Sequence, residues 1–131
     1  MKLSTLGLHH LALFVKNLEA CEEFYTKLVG MQVVWRPDED NIYLSSGQDN
    51  LALHRAPAHF SPAPDQRLDH LGFRLKSAED VDNWHQFLKD QGVLIRRTPK
   101  THRDGAKSFY CDDPDGNTVQ FIYHPAASSK V

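Results

Sequence analysis

Cysteine is scarce in this chain. Cys21 and Cys111 are the only two in 131 residues, too few for a disulfide framework, so the expectation is a reduced, cytoplasmic protein. Neither sign of charge is in excess. Fifteen Lys and Arg face 17 Asp and Glu, for a net charge of −2. That excludes a partner held through a nucleic-acid backbone, which requires a concentrated basic face. No apolar run approaches the roughly 18 residues of a membrane span, so no membrane partner is expected. The stretch Met1–Gly7 is too short in apolar residues to read as a secretory signal. A glycine-rich phosphate cradle, a CxxC pair and a well-spaced Ser-His-Asp set are missing as well. What the chain does have is 40% hydrophobic residues, enough for the core of one domain, and eight histidines.

The chain is written twice. Leu8-His9-His10-Leu11-Ala12-Leu13-Phe14-Val15-Lys16 aligns without a gap on Leu68-Asp69-His70-Leu71-Gly72-Phe73-Arg74-Leu75-Lys76, sixty positions later. Phe24 then falls over Trp84 and Leu28 over Leu88, and each segment runs on to a glycine, Gly30 or Gly92. The two halves also close alike, Asp49–His54 matching Asn117–Ile122. Internal self-similarity of this kind points to one supersecondary unit used twice.

Periodicity gives the content of each unit. Leu11, Leu13 and Val15 alternate with His10, Ala12 and Phe14, and Leu71, Phe73 and Leu75 with His70, Gly72 and Arg74, as in strands with two unlike faces. Asn17 is placed to cap a first helix with Cys21, Phe24 and Leu28 on one side, ended by Gly30. Ser77 caps a second, with Asp80 as capping-box partner, a stripe of Val81, Trp84 and Leu88, and Gly92 as stop. Strand-like stretches follow each helix: Gln32–Arg36, Asn41–Leu44 and Asn50–Arg55, then Val93–Arg97, Lys107–Cys111 and Thr118–His124. Asp112-Asp113-Pro114-Asp115-Gly116 reads as a hairpin turn between the last two. The expected fold is α+β, a single domain over 1–131 made of two tandem βαβββ modules. They occupy residues 8–56 and 68–125, with a proline-bearing linker at 57–67 and a frayed tail at 126–131.

Paired βαβββ modules, each opening on His-x-x-apolar-x-apolar and the second closing after Asp113-Pro114-Asp115-Gly116, resemble the vicinal oxygen chelate superfamily. Glyoxalase I, extradiol dioxygenases, fosfomycin-resistance transferases and bleomycin-binding proteins belong to it. The resemblance covers about Leu8 to Pro125. It implies a half-open cup-shaped sheet, a homodimer, and a divalent metal ion (iron, nickel, zinc or manganese) held by ligands from the first and last strands of each module. Carried onto this sequence, the opening ligands are His10 and His70. The closing ligand, usually Glu, is Gln120 here, and its counterpart in the first module is Ala52.

Both histidines are thus kept and both carboxylates are lost. A glutamine carbonyl still offers an oxygen lone pair, but it is neutral, so the ion would be held more weakly and would be more electrophilic. The usual carboxylate base is gone too. His54, two residues beyond Ala52 and on the same face by alternation, is the candidate catalytic group, as a base, a hydrogen-bond donor or a displaced ligand. Phe14, Arg74 and Ile122 share the inward parity and are expected to contact substrate. Trp35 and Tyr43 could stack a planar ligand or simply pack. The loop Lys100–Lys107 is rich in donors and could cover the cup, while His9 is expected to point away from His10. His59, His85 and His102 are expected at the surface, and His124 at the cup rim. The expected function is a small-molecule enzyme of the glyoxalase or dioxygenase type, in which a metal ion chelates adjacent substrate oxygens. The alternative is a metal-free small-ligand binding protein of the bleomycin-resistance type.

Overall fold

The computed structural model describes residues 2–125, and the expected tail at 126–131 lies outside them. The chain divides into two compact units, residues up to Phe60 and from Ser61 onward. Both are α+β, and each holds a four-stranded mixed sheet. Among the described residues no helix is long and apolar enough to cross a membrane.

Unit 1 runs β1 (Leu11–Val15), α1 (Leu18–Glu23), a π-helical turn (Phe24–Leu28), β2 (Gln32–Asp38), β3 (Asn41–Ser45) and β4 (Leu51–Arg55). Its sheet order is β1-β4-β3-β2, with β1 and β4 parallel and the other pairs antiparallel. The Asn17 side chain accepts the Ala20 amide at 3.0 Å and caps α1, a contact worth about 1 kcal/mol. The expected single helix to Gly30 instead changes pitch. Val29 N–H donates to Phe24 five residues back, and this wider turn brings Phe24 and Tyr25 together into the core.

Unit 2 repeats the plan with β5 (Leu71–Arg74), α2 (Ala78–Asp90), β6 (Ile95–Thr101), β7 (Lys107–Asp112) and β8 (Thr118–Tyr123), in the order β5-β8-β7-β6. The Ser77 hydroxyl accepts the Asp80 amide at 3.1 Å. At its other end α2 stops on Gly92, whose φ of +80° only glycine adopts cheaply. The Val93 amide is turned back onto Leu88, which delays β6 until Ile95. The hairpin at Asp113–Asn117 forms as its sequence implies. The buried Asp113 carboxylate accepts the amides of Asp115 and Asn117, both at 2.9 Å, and the Asn117 side chain at 2.8 Å.

One face of each sheet is covered by its own helix. In unit 1 Val15, Leu18, Cys21, Ile42, Leu44 and Leu53 are buried there. In unit 2 Phe121 is stacked by Phe73, Trp84 and Phe109 at ring distances of 5.6, 5.1 and 5.2 Å. His85, expected at the surface, is half-buried with its ring 5.4 Å from Phe109, because α2 turns that flank toward the sheet. The other face of each sheet is open, and it carries the residues of opposite parity.

Candidate functional site

The strand registers put the duplicated positions in correspondence. Ala12 pairs with Ala52 and Tyr43 with Ala52, just as Gly72 pairs with Gln120 and Tyr110 with Gln120. Even the irregularities repeat. In each unit the edge strand gains one residue on its neighbour twice, at Val33/Trp35 and Trp35/Asp38 in one, at Ile95/Arg97 and Arg97/Lys100 in the other. Trp35 therefore corresponds to Arg97, and Asp38 to Lys100.

In unit 2 the open face joins His70 to Gln120 through a third residue. The His70 Nδ1 donates to the Asp69 carboxylate at 2.6 Å, which leaves Nε2 as the nitrogen with a lone pair. The Tyr110 ring meets His70 edge to face at 5.4 Å, and its hydroxyl accepts the Gln120 Nε2 proton at 3.0 Å. That bond orients the amide and leaves Oε1 as its remaining donor oxygen. The oxygen lies against Gly72, where a Cβ would come within 3.3 Å of it. Glycine at 72 thus keeps room for the half-buried Gln120.

An imidazole nitrogen held by a carboxylate and an oriented carbonyl oxygen suit a divalent cation of intermediate hardness. Among the described residues no group of three or more His, Cys, Asp or Glu is gathered for a metal. Of the expected ligands, His70 and Gln120 lie in unit 2 and His10 in unit 1. Arg74 is exposed, opposite Ile122, and has no carboxylate partner among the described residues. The half-buried Ile122 lines a cavity with His102, Asp104 and His124. The donor-rich loop is shorter than expected, because β6 continues through Lys100 and Thr101.

Unit 1 presents a different open face. His54 Nδ1 donates to Asn41 Oδ1 at 2.6 Å, leaving Nε2 as acceptor. Its ring contacts Tyr43 at 5.9 Å and Phe14 at 6.2 Å. Trp35 stacks on Tyr43 at 5.0 Å, and Phe60 lies 5.9 Å from Phe14. Five rings in a row cross the sheet, and Trp35 and Phe14 are 59% and 56% exposed. The row passes beside Ala52, which is buried. His10 is exposed just ahead of β1, with His9 at 2.9 Å between their Nδ1 atoms. That contact corrects the expectation that His9 turns away, since strand alternation starts only at Leu11.

Sequence reasoning missed Asp69, Tyr110 and Asn41. Tyr110 had a signal, because Tyr43 occupies the same place in the other copy. Asp69 had none beyond its adjacency to His70, and Asn41, thirteen residues from His54, had none.

The sequence profile of the Glyoxalase/Bleomycin resistance protein/Dioxygenase superfamily matches residues 7–121, and the chain belongs to that superfamily. It is 31% identical over 119 residues to a trivalent organoarsenical cleaving enzyme of Bacillus sp. (strain MD1), covering 87% of this chain and 71% of that protein. It is 28% identical to a manganese-dependent 2,3-dihydroxybiphenyl 1,2-dioxygenase of Geobacillus genomosp. 3, over 87% of this chain but 35% of that one. The chain thus spans about a third of the dioxygenase's length. In fold it is similar to a solved glyoxalase/bleomycin resistance protein/dioxygenase from Alicyclobacillus acidocaldarius, with a TM-score of 0.72 at 21% identity, over 96% of this chain and 97% of that one.

Proposed function

We propose that this protein is a small-molecule enzyme whose divalent metal ion is held by His70 Nε2 and Gln120 Oε1, with His10 as a further ligand. The observation that carries the reading is the paired orientation in unit 2. Asp69 fixes the His70 tautomer and Tyr110 fixes the Gln120 amide, so two donor atoms are freed from internal hydrogen bonds. His10 enters through the repeat, as the counterpart of His70. When bound, the ion supplies Lewis acidity toward adjacent substrate oxygens and stabilises negative charge developing on them.

The side chains do the rest. Tyr110, whose oxygen accepts from Gln120, keeps its own proton to donate. His54, with Nε2 unprotonated while Asn41 holds Nδ1, is the proposed base. Phe14, Arg74 and Ile122 are the proposed substrate contacts. Manganese is the first metal to try, on the name of the Geobacillus relative, followed by iron, nickel and zinc. The homodimer and the cytoplasmic location belong to the same proposal, the latter supported by two buried thiols.

The test is elemental analysis of untagged protein beside His70→Ala. A near-stoichiometric transition metal that the variant loses supports the proposal. Absence of metal after reconstitution with all four ions overturns it.

A second reading rests on the ring row of unit 1: a planar ligand is sequestered there without metal. It expects quenching of Trp35 fluorescence by an aromatic ligand in chelator-treated protein, abolished in Trp35→Phe.

A further inference from the structure

Unit 2 contains a cavity of about 580 Å³ beyond the His70–Gln120 pair. Its walls are Ile122 and His124 at the end of β8, Lys100 at the end of β6, and His102, Arg103 and Asp104 from the loop between β6 and β7. The second bulge of β6 puts Lys100 there. Between Arg97, opposite Tyr110, and Lys100, opposite Ser108, β6 advances three residues while β7 advances two. Simple alternation would send Lys100 to the helix-covered face. The extra residue returns it to the face of Gln120 and Ile122.

The loop is braced from within. His102 N–H donates to Ala106 at 2.7 Å, and the Asp104 carboxylate accepts the Ala106 amide at 3.0 Å and the His124 Nε2 at 3.1 Å. The one carboxylate of the cavity is therefore already engaged. Several cations elsewhere are matched, Arg36 with Glu22, Arg55 with Glu19 and Asp40, Arg96 with Asp112 and Lys107 with Asp82, while others such as Arg74 are not. Lys100 and Arg103 have no carboxylate partner among the described residues. Two exposed cations and two histidines thus line a space whose volume is in the range of small-ligand sites.

We infer that this cavity binds an anionic oxygen group, a carboxylate or a phosphoryl-type group, on the substrate. Arg103 offers a planar fork of donors and Lys100 a point charge, both suited to such oxygens. The inference rests on the reading of Gln120 as part of the reaction site. Ile122 lies two residues from Gln120 on the same face, about 7 Å along the strand. The substrate then carries its anionic group within one short linker of the oxygens that react.

The experiment uses full-length, chelator-treated protein titrated with inorganic phosphate and separately with acetate, at constant ionic strength, following backbone amide shifts of residues 102–106 and 122. Saturable shifts are expected, and they should weaken at least about tenfold in Lys100→Ala and in Arg103→Ala, as for loss of one charge-assisted contact. Lys89→Ala, on α2, should bind like wild type. Whichever probe binds more tightly identifies the group as phosphoryl or carboxylate. Shifts that chloride reproduces, or that both cavity variants retain, overturn the inference. Metal content of the cavity variants separates the two proposals. Metal kept while phosphate and acetate fail sinks the anion site alone. Anion binding kept in a protein that takes up no metal sinks the enzyme reading alone.

Discussion

Ala52 and Gln120 stand at the same place in the two units, each on the last strand and each opposite a tyrosine, Tyr43 or Tyr110. Around Gln120 the neighbours leave room and supply a hydrogen bond. Around Ala52 the space is closed, because the residue is 1% exposed and Tyr43 is stacked under Trp35. Unit 2 keeps a donor at this position, and unit 1 has filled the same volume with rings.

Gln120→Glu should strengthen divalent-metal binding, since an anionic oxygen replaces a neutral one at a position already oriented. Tyr110 can reverse its role and donate to the carboxylate. We expect at least about a tenfold gain in a calorimetric manganese titration, in line with the strength of charged over neutral contacts. An unchanged isotherm would remove Gln120 from the ligand set.

Ala52→Glu should fail where Gln120→Glu succeeds. The longer side chain must displace Tyr43 and bury a carboxylate, at a cost of about 2–4 kcal/mol. Urea unfolding should show a lowered midpoint, and Trp35 emission should change as its stack opens.

Phe121→Ala should be the most damaging of these substitutions in unit 2. It removes the ring on which Phe73, Trp84 and Phe109 converge, and about 3–5 kcal/mol is expected from urea melts.

Cys111 should be inert in the folded protein. Burial first, then Asp112 and Asp113, push its thiol up to about 12. The native state therefore holds the proton where the unfolded chain loses it, above about pH 8.5. Stability should fall as pH rises beyond that point. A thiol reagent at pH 8 should label Cys111 only on unfolding.

The Asp104 brace has the opposite sign. The Ala106 amide, and then His124, hold this carboxyl below its usual range. Its contribution is present above about pH 4 and is lost as pH falls through the lowered value. Amide exchange at Ala106 should quicken in that acid range, and Asp104→Asn should exchange faster at neutral pH.

The duplication, both helix caps and the final hairpin were legible in the sequence, because each rests on local spacing. Asn17 and Ser77 cap as their positions imply, and Ala52 aligns with Gln120 as the repeat required. Lys100 was expected in a loop beyond a strand ending at Arg97, and alternation does not carry parity across a bulge, so its place on the face of Arg97 was not legible. Strand pairing alone reveals the extra residue between them. The π-helical turn was hidden for a similar reason. Cys21, Phe24 and Leu28 fit an ordinary helix, and only the burial of Tyr25 beside Phe24 demands the wider pitch. The hydrogen-bond partners of His70, His54 and Gln120 depend on side-chain directions that no spacing encodes.

In each unit the opening strand pairs only with the closing one: Leu11 waits for Leu51, and Leu71 for Val119. During synthesis neither sheet can be completed until its last strand has emerged, so closure comes late in each half. Among the described residues each sheet is built from the strands of its own unit. A stop in the linker would therefore leave no strand of the first half unpaired, whereas one just before Thr118 would strand β5.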